Sequence, residues 1–322
     1  MLIITFNRLE SLSGQIAGYT QLSHAFKAMG GPCSFHLYHD DPQALHLAIQ
    51  LAEQEVLRLE KKYSRFLENS VISKINQSAG QHSMTVDAET QGLLNYSALC
   101  FEQSDGLFDI TSGVLNKIWD FKAGKVPTQK SINACLKYVG FEKIQWDGES
   151  IFLPKGMQID FGGVVKEFAA DCALKVLKNA GVCSGLIDLA GDMTVLGSRP
   201  DSSPWLVGIR NPNQPDKAIV TLQMSAGAIA TSGYYERYFI ADGKRYCHII
   251  NPKTGWPVAH CATISIISDQ CLVSGSVATI AMLKEGEAAE WLRDIEANFY
   301  MQDRYGSYYS SHGLSATGVA GL

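Results

Sequence analysis

Charge is scarce in this chain, its cysteines lack metal-ligand spacing, and no apolar run is long enough to span a membrane. Asp, Glu, Lys and Arg make up only 18% of the residues, and 27 basic against 32 acidic side chains leave a formal net charge of −5. That balance excludes a protein that holds nucleic acid by neutralising its phosphates. The 8 cysteines stand singly, at Cys33, Cys100, Cys135, Cys172, Cys183, Cys247, Cys261 and Cys271, with no CxxC pair. A zinc ribbon or a short disulfide framework is therefore not expected, and each cysteine is read as a small buried apolar residue. No window of about 18 uncharged apolar residues occurs, so no membrane span is expected. Arg8 and Glu10 interrupt the segment where a secretory signal would have to be apolar. A cytoplasmic protein without internal repeats is the expectation.

What is present is material for a large core. Hydrophobic residues make up 46%, with 13 Tyr, 13 Phe and 5 Trp among 322 residues, enough for one large domain or two joined ones at about 100–200 residues each. Residues 1–26 read as a loosely defined leader before a first strand at Cys33–Tyr38. From Asp41, an Asp-Pro start leads into a long amphipathic helix to about Tyr63, with Leu47, Leu51, Val56 and Leu59 recurring at near-helical spacing. A second helix over 87–104 shows Leu93, Leu94, Ala98 and Phe101 on one face. Asp147-Gly148 marks a hairpin. IDFGGVVKEFAADCALKVLKNAG reads as a short strand closed by Asp160, a double glycine, and a helix ending at Gly181. The second half is strand-rich and closes with helices over 270–283 and 286–295. Consecutive short strands with a few long helices predict an α+β fold with antiparallel sheet.

Four segments carry candidate chemistry. In IDFGGVVKEF, Gly162 and Gly163 allow close backbone approach, the following helix offers free N–H groups to an anion, and Lys166 can reach a phosphate; a packing device is the alternative. In LIDLAGD, Asp192 either holds a ribose or closes an Asx turn with Asp188. His248 stands beside the turn-rich NPKTGWP loop and is either a base or structural. Ser274, Gly275, Ser276, Ala278 and Thr279 start a helix that either packs closely or admits a ligand.

Taken in order, these segments resemble the ApbE family, the FAD:protein FMN transferases. MGGPCSF is similar to the family's opening MGT strand, and YSRFLENSVISKIN to a segment ending in a serine-rich, asparagine-terminated turn. DGLFDITSGVLNKIWDF resembles GxFDxTxxxLxxxW, IDFGGVVKEFAAD resembles DLGGIAKGYAAD, and LAGD resembles GGD. ATSGYYERYF and HIINPKTGWPV resemble ATSGDYERYF and HIIDPRTGYPV. The resemblance implies a single ApbE-like domain over 27–312 with a tail at 313–322. It also implies an enzyme that splits FAD, passes the FMN half to a threonine of a target flavoprotein and releases AMP. Met29, Phe66, Phe108, Asp109, Ile110, Asp160, Lys166 and Ile250 fall at its FAD-contact positions, and His248 at the histidine that helps deprotonate the threonine.

The resemblance further implies Mg²⁺ held by the Gly163 carbonyl and by an Asp and a Thr one helical turn apart. Thr279 is kept, but Gly275 stands where the Asp belongs, and Glu167 replaces the glycine after the lysine. Asp269 is the nearest carboxylate on that segment and reads as a helix N-cap. Two functions follow: a Mg²⁺-dependent flavin transferase, or a non-catalytic FAD-binding member that lost its metal-anchoring carboxylate.

Overall fold

The computed structural model describes residues 2–4, 13–16, 18–212, 214–311 and 319–321. Nine strands form an antiparallel central sheet in the order β17 (Tyr308–Ser310), β16 (Asn298–Asp303), β15 (Cys261–Ser268), β12 (Gly227–Gly233), β9 (Asp192–Gly197), β8 (Ser184–Leu189), β4 (Gly31–His39), β3 (Tyr19–Ala28) and β2 (Ser13–Ile16). A smaller sheet of β1 (Leu2–Ile4), β10 (Trp205–Asn211), β11 (Gln214–Met224) and β18 (Val319–Gly321) packs on one face. The other face carries helices α1 (Pro42–Tyr63), α5 (Val165–Asn179), α6 (Cys271–Lys284) and α7 (Ala288–Asp294). The remaining elements are β5 (Met84–Thr85), β6 (Gln145–Trp146) and β7 (Ser150–Phe152), the ribbon β13 (Tyr238–Ala241) with β14 (Lys244–Cys247), and α2 (Val71–Gln77), α3 (Ala88–Gln103) and α4 (Gln129–Leu136). The α+β antiparallel class expected from the sequence holds. Among the described residues no helix is long and apolar enough to cross a membrane.

The central sheet is covered on both faces. Along β8, Ile187 and Leu189 face the helices while Leu186 faces the smaller sheet, the alternation that a pleated strand imposes. Apolar side chains on both faces make the strand read as a hydrophobic run broken by Asp188.

Several boundaries differ from the sequence reading. Tyr19–Ala28, read as leader up to residue 26, is a full strand paired with β4, so Cys33–Tyr38 is not the first strand. Its polar residues alternate with Leu22 and Phe26, which pack against the core, so its apolar signal is weak. Helix α1 buries Leu45, Ala48, Ile49, Ala52, Val56 and Leu59, while Leu47 and Leu51 are exposed. Small Ala48 and Ala52 belong to the stripe because α1 packs against α5. In α3 the buried positions include Ser97 and Cys100 rather than Ala98 and Phe101. The asparagine-terminated segment is not a turn: Ser70 caps the two-turn α2, which contains Asn76. Cys183 is exposed, unlike the buried state expected of it. Of the tail, 313–318 and 322 lie outside the described residues.

Helix α6 is started from another helix. Asp269 is not its cap; the Asp171 carboxylate of α5 accepts from Cys271 N and Leu272 N, both at 2.9 Å. Asp171→Ala should cost about 1–3 kcal/mol in denaturant unfolding, whereas exposed Asp269→Ala should cost less than about 0.5 kcal/mol. Equal effects would contradict this capping arrangement.

Candidate functional site

Where α1 ends and α5 begins, the protein forms an open cleft of about 1120 Å³, above the roughly 300–1,000 Å³ usual for small-molecule sites. The residues singled out from the sequence share its wall: Met29, Phe66, Phe108, Asp109, Ile110, Asp160, Gly163, Lys166, His248, Ile250 and Thr279. They come from widely separated segments, so the chain's folding is what assembles them.

Met29 projects from the β3–β4 turn, where it (φ 53°) and Gly30 (φ 75°) are both left-handed. Phe66 stands 82% exposed on the loop after α1, with the Arg65 guanidinium 4.6 Å from its ring centre. Arg65 Nε also lies 3.1 Å from the Asp160 carboxylate. Asp160 does not close a strand, as the sequence suggested. Its segment is held extended by the Asn76 side chain, which donates to Ile159 O (2.9 Å) and accepts from Ile159 N (2.7 Å), while Asp160 N donates to Ile110 O (2.9 Å). Gly113 permits the approach, since a Cβ there would lie 2.6 Å from that of Asp160.

Asp109 turns its carboxylate inward. It accepts from Thr111 N (2.7 Å), Thr111 Oγ1 (2.6 Å) and Phe141 N (3.2 Å), capping the 3-10 turn at 110–117, and burial pushes its pKa up. Asp188 accepts from Gly191 N at 2.7 Å, the Asx turn foreseen. Asp192 neither closes a turn nor points free toward a ribose. One oxygen accepts from Thr231 N (3.1 Å) and the other pairs with Lys166.

The Lys166 ammonium, in the first turn of α5, also lies 3.1 Å from Glu167 Oε1. Burial works to lower its pKa, but acidic neighbours, Glu167 foremost, hold it above the ordinary lysine value. The start of α5 has no side-chain cap, leaving backbone donors and the positive end of the helix dipole at the cavity wall. Glu167 is only 7% exposed and its Oε2 has no hydrogen-bond partner. It lies over Gly275 of α6, where a Cβ would come within 2.4 Å of Glu167 Cγ. One turn on, Thr279 Oγ1 is 3.5 Å from Ser232 Oγ. Among the described residues no group of three or more His, Cys, Asp and Glu is placed to hold a metal ion. A cation here would therefore draw ligands from hydroxyl, carbonyl and substrate oxygens as well.

His248 follows β14 and faces the cavity. Its Nδ1 lies 3.3 Å from Arg237 O; a carbonyl can only accept, so Nδ1 carries the proton and Nε2 keeps its lone pair. Burial lowers the His248 pKa below its ordinary 6.5, with Glu236 opposing. Arg65, Asn76 and Arg237 were not singled out as site residues, although each lies in a quoted motif, Asn76 as the terminal asparagine of YSRFLENSVISKIN. Asn76 meets its partner far along the chain, so its role was not legible there.

Comparison with known proteins identifies the family. Residues 29–300 match the model of the ApbE family. A Klebsiella pneumoniae protein described as FAD:protein FMN transferase is 30% identical over 299 residues, covering 88% of this chain and 90% of that protein. A Treponema pallidum protein of the same description is 29% identical over 304 residues, covering 84% of each. The crystal structure of the ApbE protein from Thermotoga maritima superimposes with a TM-score of 0.85 at 26% identity, covering 91% of this chain and 97% of that one. With the matched segment running through both the sheet and the cavity wall, the chain belongs to the ApbE family.

Proposed function

We propose that the cleft binds FAD and transfers its FMN half to a threonine hydroxyl of a target flavoprotein, releasing AMP, with Mg²⁺ required. The observation that carries this is the convergence of the sequence-marked residues on one cavity of about 1120 Å³, in a chain whose relatives are described as FAD:protein FMN transferases.

In this reading the threonine Oγ attacks the phosphorus of the FMN half. A new P–O bond forms, the P–O bond to the bridging oxygen breaks, and AMP leaves with that oxygen. The hydroxyl proton passes to Nε2 of His248, which burial keeps neutral and whose tautomer Arg237 O fixes. Phe66, with Arg65 behind it, offers a stacking face at the rim, and Met29, Phe108, Ile110 and Ile250 form apolar wall. The uncapped start of α5 receives phosphate oxygens. Lys166 adds positive charge, muted by its two carboxylate partners.

The orphaned Glu167 Oε2 beside Thr279's helix marks a place suited to a cation. The Gly163 carbonyl and Thr279 hydroxyl would hold Mg²⁺ together with the substrate's phosphates; bound there, it supplies neutralisation of the pyrophosphate charge. The rival reading, a flavin-binding member without metal chemistry, draws on Gly275 and expects FAD binding with no AMP.

Incubation with FAD, Mg²⁺ and a target flavoprotein should yield AMP and covalently attached FMN, and chelation should stop both. Neither product would sink the transferase reading. His248→Ala should lower the transfer rate about 10²–10⁴-fold with FAD affinity largely intact; an unchanged rate makes His248 structural. The pH profile checks the same residue. The working form is neutral and the pKa is lowered, so the rate should rise with pH, reach half its plateau below pH 6.5, and stay flat above. A midpoint clearly above 6.5 would contradict the assignment.

A further inference from the structure

We infer that Glu167 supplies, from α5, the metal-anchoring carboxylate that position 275 of α6 lacks, so that a divalent cation in this cleft is held by Glu167 with Thr279. The inference rests on the metal-dependent reading above and concerns where its negative charge resides.

Glu167 and Gly275 occupy one volume. A Cβ at 275 would lie 2.4 Å from Glu167 Cγ, 2.9 Å from Cδ and 3.1 Å from Oε1. A side chain at 275 and the Glu167 side chain therefore exclude each other, and the Glu167 side chain fills the space where one carried by α6 would begin. Gly275 and Thr279 are one turn apart on α6, and Glu167, Gly275 and Thr279 all line the same cavity.

The state of the carboxylate points the same way. A glutamate in the first turn of a helix commonly reaches back to the N-cap N–H. Glu167 does not: Val164 N donates to Phe161 O instead. Its Oε1 is satisfied by Lys166 at 3.1 Å, but Oε2 is buried without any donor. Leaving a charged oxygen without a partner costs more than an ordinary hydrogen bond contributes. Lys166 does not remove that cost, because its ammonium is already shared with Asp192. A cation bound between Glu167 and Thr279 satisfies the oxygen, and a single carboxylate supplemented by phosphate oxygens is an ordinary Mg²⁺ environment.

The test is a double-substitution cycle on the full chain, reading Mn²⁺ affinity by the electron paramagnetic resonance of the free ion, with and without ADP as a diphosphate that carries no FMN. Glu167→Gln, nearly isosteric, should weaken Mn²⁺ at least about tenfold while far-ultraviolet circular dichroism still shows the parent's fold. Glu167→Gly should do the same. Gly275→Asp alone should lower the unfolding temperature without improving affinity, because the two side chains collide. Glu167→Gly with Gly275→Asp should regain affinity to within roughly threefold of the parent. An unchanged affinity in Glu167→Gln, or a double variant no tighter than Glu167→Gly, overturns the inference. FMN transfer assayed in parallel separates the two readings. A parent that transfers while Glu167→Gln binds Mn²⁺ normally sinks only this inference; a parent that does not transfer while the Mn²⁺ pattern holds sinks only the transferase reading.

Discussion

Holding the Lys166 ammonium half-buried at the cleft wall requires negative charge within reach, and Asp192 of β9 and Glu167 of α5 supply it from two directions. Charges taken out of water are tolerated only when paired, and losing one partner leaves the others uncompensated. The pairing is also mechanical. Asp192 uses its second oxygen to hold Thr231 N of β12, and the next residue, Ser232, reaches toward Thr279 of α6. One ammonium thus fixes α5 against the sheet at the level where the double-glycine turn, the β12 end and α6 meet.

This arrangement sets what the cleft can do with phosphate. On the proposed reading, two carboxylates neutralise the lysine, so the positive end of α5 and a cation are left to offset a pyrophosphate. On the inference drawn above, that cation's carboxylate comes from α5, because Gly275 leaves room for Glu167. Read alone, each of the two departures from the family pattern looks damaging: one removes a negative charge, the other adds one. They are neighbours in space, and on the inference drawn above the same charge has crossed from one helix to the other.

Much of the fold was legible because it rests on local signals. The long helix after Asp41, the Asp147-Gly148 hairpin and the strands of the second half all announce themselves by capping, turn residues and periodicity. The helix faces were less legible. Leu47 and Leu51 look like core, yet the buried stripe runs through Ala48 and Ala52, where smallness serves the contact with α5. The site residues were readable as motifs, but their partners were not. Asn76 holding Ile159, Arg65 reaching Asp160, and Asp171 capping α6 in place of Asp269 are each set by tertiary contact across long sequence separations. The adjacency of Glu167 and Gly275 belongs to the same class; nothing local in either segment reveals it.

The most direct measurement is anomalous diffraction from crystals of the full chain grown with Mn²⁺ and FAD. The account predicts a manganese peak within coordination distance, about 2.0–2.3 Å, of a Glu167 carboxylate oxygen and the Thr279 hydroxyl, with FAD phosphate oxygens completing its shell. A peak held without Glu167, or FAD bound in the cleft with no peak beside α6, would contradict it.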